Sequence, residues 1–216
     1  LGRTDEHMSW AQAQEFIDEQ FASFSPDLAA LGRRAFEEQW IDAEPRDGKR
    51  GGAFCMALPA VEESRVFSNF DGTLDRVMTL AHELGHAYHN ECQAGKTMLQ
   101  KKKPMTLAET ASIMNETIVT NAILARSSQR DEKLAILEAF LTNAGQVIVD
   151  IYSRFLFEQE VFRRRAEAEL SADELCTIML SAQRATYGDG LDGRYLHPYM
   201  WAWKPHYYRP TLSFYN

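Results

Sequence analysis

The sequence predicts a mostly helical fold with one small β-sheet placed ahead of its central helix. Three observations carry that expectation. Apolar residues keep helical spacing along most of the chain, and capping residues stand where the periodic segments begin. One stretch of turn chemistry, Glu44–Gly52, is followed by short apolar runs with the texture of strands. The balance of 45% hydrophobic and 25% charged residues over 216 positions suits a folded domain and excludes a disordered tail, a fibrous repeat or a coiled-coil rod.

Taken in chain order, Ser9 caps a helix whose apolar positions Trp10, Ala13, Phe16, Ile17, Phe21 and Phe24 repeat at helical spacing. Ser25 and Pro26 supply a cap and a first-turn proline for a second helix through Leu28, Leu31, Phe36 and Trp40. The apolar runs Ala53–Leu58 and Arg65–Phe70 read as two strands joined by Pro59–Ser64. Asp71-Gly72 closes the second, and Thr73 caps a helix from Leu74 to about Cys92. Further helices are expected over Pro104–Ala125, over about Arg130–Ala168 with a bend near Gly145, and over Ser171–Tyr187. The last opens with the capping box Ser171-x-x-Glu174 and stops at Gly188.

Charge and composition narrow the function classes. Lys plus Arg is 23 against 31 for Asp plus Glu, so the chain carries a net charge of −8 and lacks the basic footprint of a nucleic-acid partner. No unbroken apolar run approaches the ~18 residues of a membrane helix, so no membrane partner is expected. Three widely spaced cysteines argue for reduced thiols and a cytoplasmic location. The chain starts at Leu1, not Met, and stops within the aromatic-rich stretch Trp201–Asn216, so it reads as a piece of something longer.

One pattern carries chemistry. His82-Glu83-Leu84-Gly85-His86 is HExxH on a predicted helix. Positions i and i+4 share a face about 6 Å apart along the axis, so both imidazoles can reach one ion. Glu83 points about 100° round the helix, placed to take a proton from a water at that ion. His89 lies two turns, about 10 Å, beyond His82, too far to share the ion, and is expected behind the site or on its wall. A third ligand must then come from another element. Glu109 and Glu116 are the only charged residues between Lys103 and Arg126. Two carboxylates on an otherwise apolar helix call for a cation or for donors from elsewhere. Glu109 also fits a plain capping box with Thr106, and Glu116 a solvated helix face.

Four ordered blocks extend the pattern: Pro45–Leu58, Glu63–Gly72, Thr79–Asn90 and Pro104–Glu116. Together they resemble the catalytic core of oligoendopeptidase F, among the thimet-oligopeptidase-like zinc metallopeptidases, from about Leu31 to the C-terminus. The resemblance implies a zincin-like helical metallopeptidase catalytic domain around a deep channel that admits short peptides. It implies one zinc held by His82, His86 and Glu109, with Glu83 as general base; Glu116, from its place on the apolar helix, is expected behind the ligands. It further implies oxyanion donors from the C-terminal aromatic segment: His206 first, with Tyr207, Tyr208 and Tyr215 as weaker candidates.

Gly52, Ala53 and Phe54 are read either as an edge strand that pairs with an extended peptide or as an ordinary Gly-rich turn. Lys101–Lys103 and Arg163–Arg165 are read as solvated charges. The expected organisation is one catalytic-core region over 1–216: a helical lead-in over 1–43, a small β element over 44–72 and a helical zinc-binding core over 73–216. The expected activity is zinc-dependent hydrolysis of short unfolded peptides, low in this piece alone, with self-association through faces that truncation would bare. Two other readings stand beside it, a helical HExxH exopeptidase and a non-catalytic zinc-stabilised helical module.

Overall fold

The computed structural model describes residues 7–203. Its helices are α1 (Trp10–Phe24), α2 (Pro26–Glu37), α3 (Leu74–Glu91), α4 (Thr110–Arg126), α5 (Arg130–Gly145), α6 (Ile151–Arg165), α7 (Ala172–Tyr187) and α8 (Met200–Trp203). Between α2 and α3 lie β1 (Ile41–Asp42), β2 (Phe54–Leu58) and β3 (Glu63–Phe67). The chain divides into two compact units, Leu1–Glu138 and Ala139–Asn216.

In the first unit, Ala13, Phe16, Ile17 and Phe21 of α1 are buried together with Leu28, Leu31 and Ala35 of α2. Ser9 closes α1 with a full capping box, its hydroxyl accepting from the Gln12 amide while the Gln12 side chain accepts from the Ser9 amide. Ser25 ends α1 and caps α2, accepting from the Asp27 amide. Central helix α3 adds Leu74, Val77, Leu80, Ala81, Leu84 and Ala87 to the same core. Thr73 stands at its N-cap without a side-chain cap bond, because its hydroxyl donates instead to Asp71 Oδ1 at 2.7 Å.

The sheet has one more strand than expected, in the order β1-β3-β2. β1 pairs in parallel with β3 through Ile41 and Val66, and β2 pairs antiparallel with β3 from Phe54–Phe67 to Leu58–Glu63. Two residues are too few for a periodic signal, which is why β1 is invisible in the sequence. β3 also begins and ends earlier than the expected Arg65–Phe70. Ser64, Val66 and Ser68 alternate on its buried side, and serines in those positions weaken the apolar period. β2 is left as an edge strand.

Two helical boundaries differ from expectation as well. The segment expected to be helical from Pro104 opens with a 3₁₀ turn, Met105–Leu107, and becomes α-helical only at Thr110. The long helix expected over Arg130–Ala168 is interrupted by a π-helical turn at Gln146–Asp150, immediately after Gly145, and stops at Arg165. The stretch Arg130–Arg165 is long and apolar enough to cross a membrane by length and composition, although polar residues break its apolar run, and only 11% of its most apolar window is buried. Leu137, Phe140, Leu141 and Ile148 are exposed along it.

In the second unit, Phe157 of α6 and Ile178, Met179 and Ala182 of α7 form a small core. Asp150, buried at the π turn, accepts from Tyr187 Oη at 2.8 Å and Gln146 Nε2 at 2.6 Å and pairs with Arg154. Burial and the Asp150 carboxylate push the Tyr187 phenol up to about 12. Ser171 and Glu174 form the expected capping box at the start of α7.

Phe21 is fully buried, its ring 3.2 Å from the position a Cβ on Gly32 would take, which locks α1 onto α2. Phe21→Ala should lower stability by about 3–5 kcal/mol, seen as a reduced urea midpoint. A midpoint within error of the parent would show that this contact does not hold the two helices.

Candidate active site

Helix α3 presents His82 and His86 one turn apart on the same face, their ring centroids 5.0 Å apart and nearly perpendicular. The third group arrives through a close helix crossing. A Cβ on Gly85 would stand 2.6 Å from the Ala111 carbonyl oxygen and 2.6 Å from the Ser112 Cα. Only the missing side chain lets the α4 backbone lie that near α3. The crossing puts Glu109, the residue before α4, opposite the two histidines.

Glu109 Oε2 is 3.1 Å from His82 Nε2, 3.2 Å from His86 Nε2, and accepts from Ser112 Oγ at 2.6 Å. The capping box with Thr106 does not form: Glu109 is itself the N-cap of α4, makes no side-chain cap bond, and turns its carboxylate to the histidines. On the far side of His82, Nδ1 lies 3.1 Å from Glu116 Oε2. With its proton on Nδ1, His82 donates to Glu116 and keeps the Nε2 lone pair for a metal.

His82, His86 and Glu109 each offer one ligand atom, and the three atoms lie within 4.8 Å of one another. Two imidazole nitrogens and one carboxylate oxygen suit zinc, which takes such donors at about 2.0–2.2 Å and in catalytic sites keeps a fourth position open. The electrostatics fit a cation. Hydrogen bonds from His82 and His86 hold the Glu109 carboxyl well below the usual carboxylate range, against burial. Burial opposes the His82 charge, but Glu109 and Glu116 outweigh it and push the group up to about 9.

Glu83, between the two histidines in sequence, is 5% exposed, and its Oε2 has no hydrogen-bond partner among the described residues. Burial raises its pKa, the nearby histidines lower it, and Glu109 raises it, for a net upward shift. It also lines the cleft that holds the three ligand candidates. His89 stands apart from this group: its Nδ1 is buried and unpartnered among the described residues, and burial, Lys103 and His86 lower its pKa.

The cleft encloses about 790 Å³. Ala53, just before β2, and Phe54 at its start line the cleft, and Phe54 stacks on Phe67 at 5.0 Å. Gly52 holds the left-handed bend (φ +88°) that leads into the strand. The expectation that Lys101–Lys103 are solvated charges is corrected at Lys103, which is partly buried and donates to Asn90 Oδ1 at 2.6 Å; all three line the cleft, and Lys102 is exposed. Cys55 and Asn90 of this cleft also escaped the sequence reading. Asn90 stands one turn after His86, a spacing that could have marked it. His206, Tyr207, Tyr208 and Tyr215 lie outside the described residues.

A mostly helical fold that aims an HExxH helix and a neighbouring glutamate into one cleft is zincin-like. Within that class the chain belongs to peptidase family M3, whose sequence profile matches residues 18–211. The chain is 29% identical over 210 residues to the chromosomal oligoendopeptidase F of Lactococcus lactis subsp. cremoris, covering 96% of this chain and 35% of that protein. It is 30% identical over 193 residues to the plasmid-encoded oligoendopeptidase F of the same organism, covering 88% and 32%. A solved candidate peptidase from Chlamydophila abortus has the same fold, with a TM-score of 0.76 at 24% identity over 98% of this chain and 36% of that one. The chain thus spans about a third of the length of the relatives it matches.

Two outcomes follow from this geometry. Glu109→Ala should release zinc at chelator concentrations that the parent withstands; equal retention would remove Glu109 from the ligand set. Gly85→Ala forces a methyl against backbone that cannot swing aside, so it should cost about 1–3 kcal/mol or more and weaken zinc retention together. Unchanged values of both would mean that the crossing relaxes freely.

Proposed function

We propose that this chain is the zinc-binding core of a metalloendopeptidase that hydrolyses peptide bonds in short, unfolded peptides. The observation that carries the reading is the convergence of His82 Nε2 and His86 Nε2 on Glu109 Oε2 with the buried, free oxygen of Glu83 beside them. His82, His86 and Glu109 would hold one zinc ion per chain, which when bound supplies Lewis acidity to a water and to the scissile carbonyl.

The remaining work falls to the protein. Glu116 holds His82 in the tautomer that leaves Nε2 free. Glu83 takes the proton of the attacking water on its free oxygen and passes it to the leaving amine. Its raised pKa makes it a stronger base toward that water than an ordinary carboxylate. The exposed edge of β2, from Ala53 and Phe54 onward, offers backbone groups with which an extended peptide can pair beside the ligands. His206, with Tyr207, Tyr208 or Tyr215, remains the proposed source of oxyanion donors.

A closed structural zinc site uses four protein ligands and has no need of a buried base. Three candidate ligands with Glu83 alongside favour catalysis over a zinc-stabilised module. Cleavage of peptides blocked at both ends separates an endopeptidase from an exopeptidase, which needs a free terminus. The three free cysteines accord with a cytoplasmic setting, and the acidic net charge with peptides, not nucleic acid, as partners. The exposed apolar residues of α5 and the π turn would support self-association.

Glu83→Gln tests the mechanism. The variant should bind zinc as the parent does and lose about a hundredfold or more in kcat/KM on a blocked peptide, because only the proton acceptor is gone. Near-parental turnover would overturn the role of Glu83. The parent should also cleave short peptides and spare a folded globular protein; efficient digestion of the folded substrate would contradict the substrate class.

A further inference from the structure

The wall of the cleft carries a cation that this chemistry leaves unused. Lys103 sits in the segment between α3 and α4, partly buried, and lines the same cleft as His82, His86 and Glu109. Its ammonium is held in place. Lys103 Nζ donates to Asn90 Oδ1 at 2.6 Å, and Asn90 Nδ2 in turn donates to Ser64 Oγ of β3 at 3.1 Å. The Ser64 bond fixes which way the Asn90 amide faces, so three separate elements converge to aim one amine.

Of the other cations that line the cleft, Arg34 pairs with Glu91 at 3.1 Å, while Lys101 and Lys102 have no side-chain partner among the described residues to hold them in place, Lys102 being exposed. Lys103 has no ion pair among the described residues. An ammonium has three donors, and Asn90 takes one. Two remain for whatever enters the cleft, and a partly desolvated cation that forms no ion pair binds a carboxylate strongly. Burial lowers the Lys103 pKa, with Cys55 and Glu109 acting the other way, which marks the amine as shielded from bulk water.

We propose that Lys103 is a specificity-determining residue whose ammonium receives a carboxylate of the bound peptide, from an acidic side chain or from a free C-terminus. The assignment rests on the peptidase reading above. It also carries a distance. Asn90 lies one turn, about 6 Å, along α3 from His86. An extended peptide running along α3 advances about 3.3–3.6 Å per residue, which places the carboxylate about two residues from the bond that is cut.

The test compares kcat/KM of the zinc-loaded protein on a matched peptide set. One peptide is uncharged and blocked at both ends, and one differs only in a free C-terminal carboxylate. The others carry a single Glu two residues to either side of the cleaved bond. The parent should favour at least one carboxylate peptide over the uncharged one by about tenfold to a hundredfold, as expected for a charge-assisted hydrogen bond. The favoured peptide identifies the source of the carboxylate. Lys103→Met should bring the ratio to near one, and Lys103→Arg should keep most of it. The ratio is taken within each variant, so a general loss of activity or zinc cancels. Should Lys103→Met fail to fold, Lys103→Gln takes its place, since an amide can still donate to Asn90.

A parent with no carboxylate preference overturns the proposal, as does a preference that survives removal of the ammonium. An equal fall on every peptide in Lys103→Met would reduce Lys103 to a tie between the loop and α3. A parent that cleaves no peptide overturns the peptidase reading, and this one with it. Cleavage of the uncharged peptide with a flat ratio overturns Lys103 alone.

Discussion

The close approach of α3 and α4 at Gly85 is the contact on which the rest of the site depends. With no side chain at Gly85, the Ala111 carbonyl and the Ser112 backbone fill the space a Cβ would take. Around that point Leu80, Ala81 and Leu84 of α3 and Val119 and Ile123 of α4 are buried in one core. Helices packed this closely transmit position with little slack. The start of α4 is therefore fixed relative to the face of α3 that bears His82 and His86, and Glu109 is delivered as a consequence of packing.

That packing concentrates charge where a soluble core would avoid it. Three carboxylates, Glu83, Glu109 and Glu116, gather round two imidazoles, and the first of them is almost wholly buried. Such a cluster is costly unless every charge has an opposite or a donor. Glu109 leans on His82, His86 and Ser112, and Glu116 on His82. Of these three carboxylates, Glu83 keeps a buried oxygen with no hydrogen-bond partner among the described residues. The asymmetry separates carboxylates suited to holding a cation and its ligands from one suited to moving a proton.

The sheet supplies the other half of the cleft. β3 is anchored by Val66 and tied to α3 through Ser64 and Asn90, and β2 lies on one edge of the sheet. An unpaired edge invites unwanted pairing. Here it lines the cleft, and on the function proposed above that same capacity would serve an extended peptide. The cleft is thus lined by β2, by the ligand cluster and by Lys103.

What the sequence determined by itself was local. The HExxH spacing places two imidazoles on one helical face wherever that helix lies, and Ser9, Ser25 and Ser171 start helices because each satisfies amides within its own first turn. The pair of carboxylates, Glu109 and Glu116, on an otherwise apolar segment was legible too, as a demand for partners from elsewhere. Its alternative, a capping box with Thr106, could be decided only by where α4 begins. β1 escaped because two residues have no period, and the extent of β3 because serines occupy its buried side. Lys103 looked like one of three solvated lysines, and nothing in its neighbours names Asn90 or Ser64. The tertiary structure decided these points because each depends on the distance between segments far apart in sequence. That distance is set by how side chains fill the space between helices, above all by the one that Gly85 lacks.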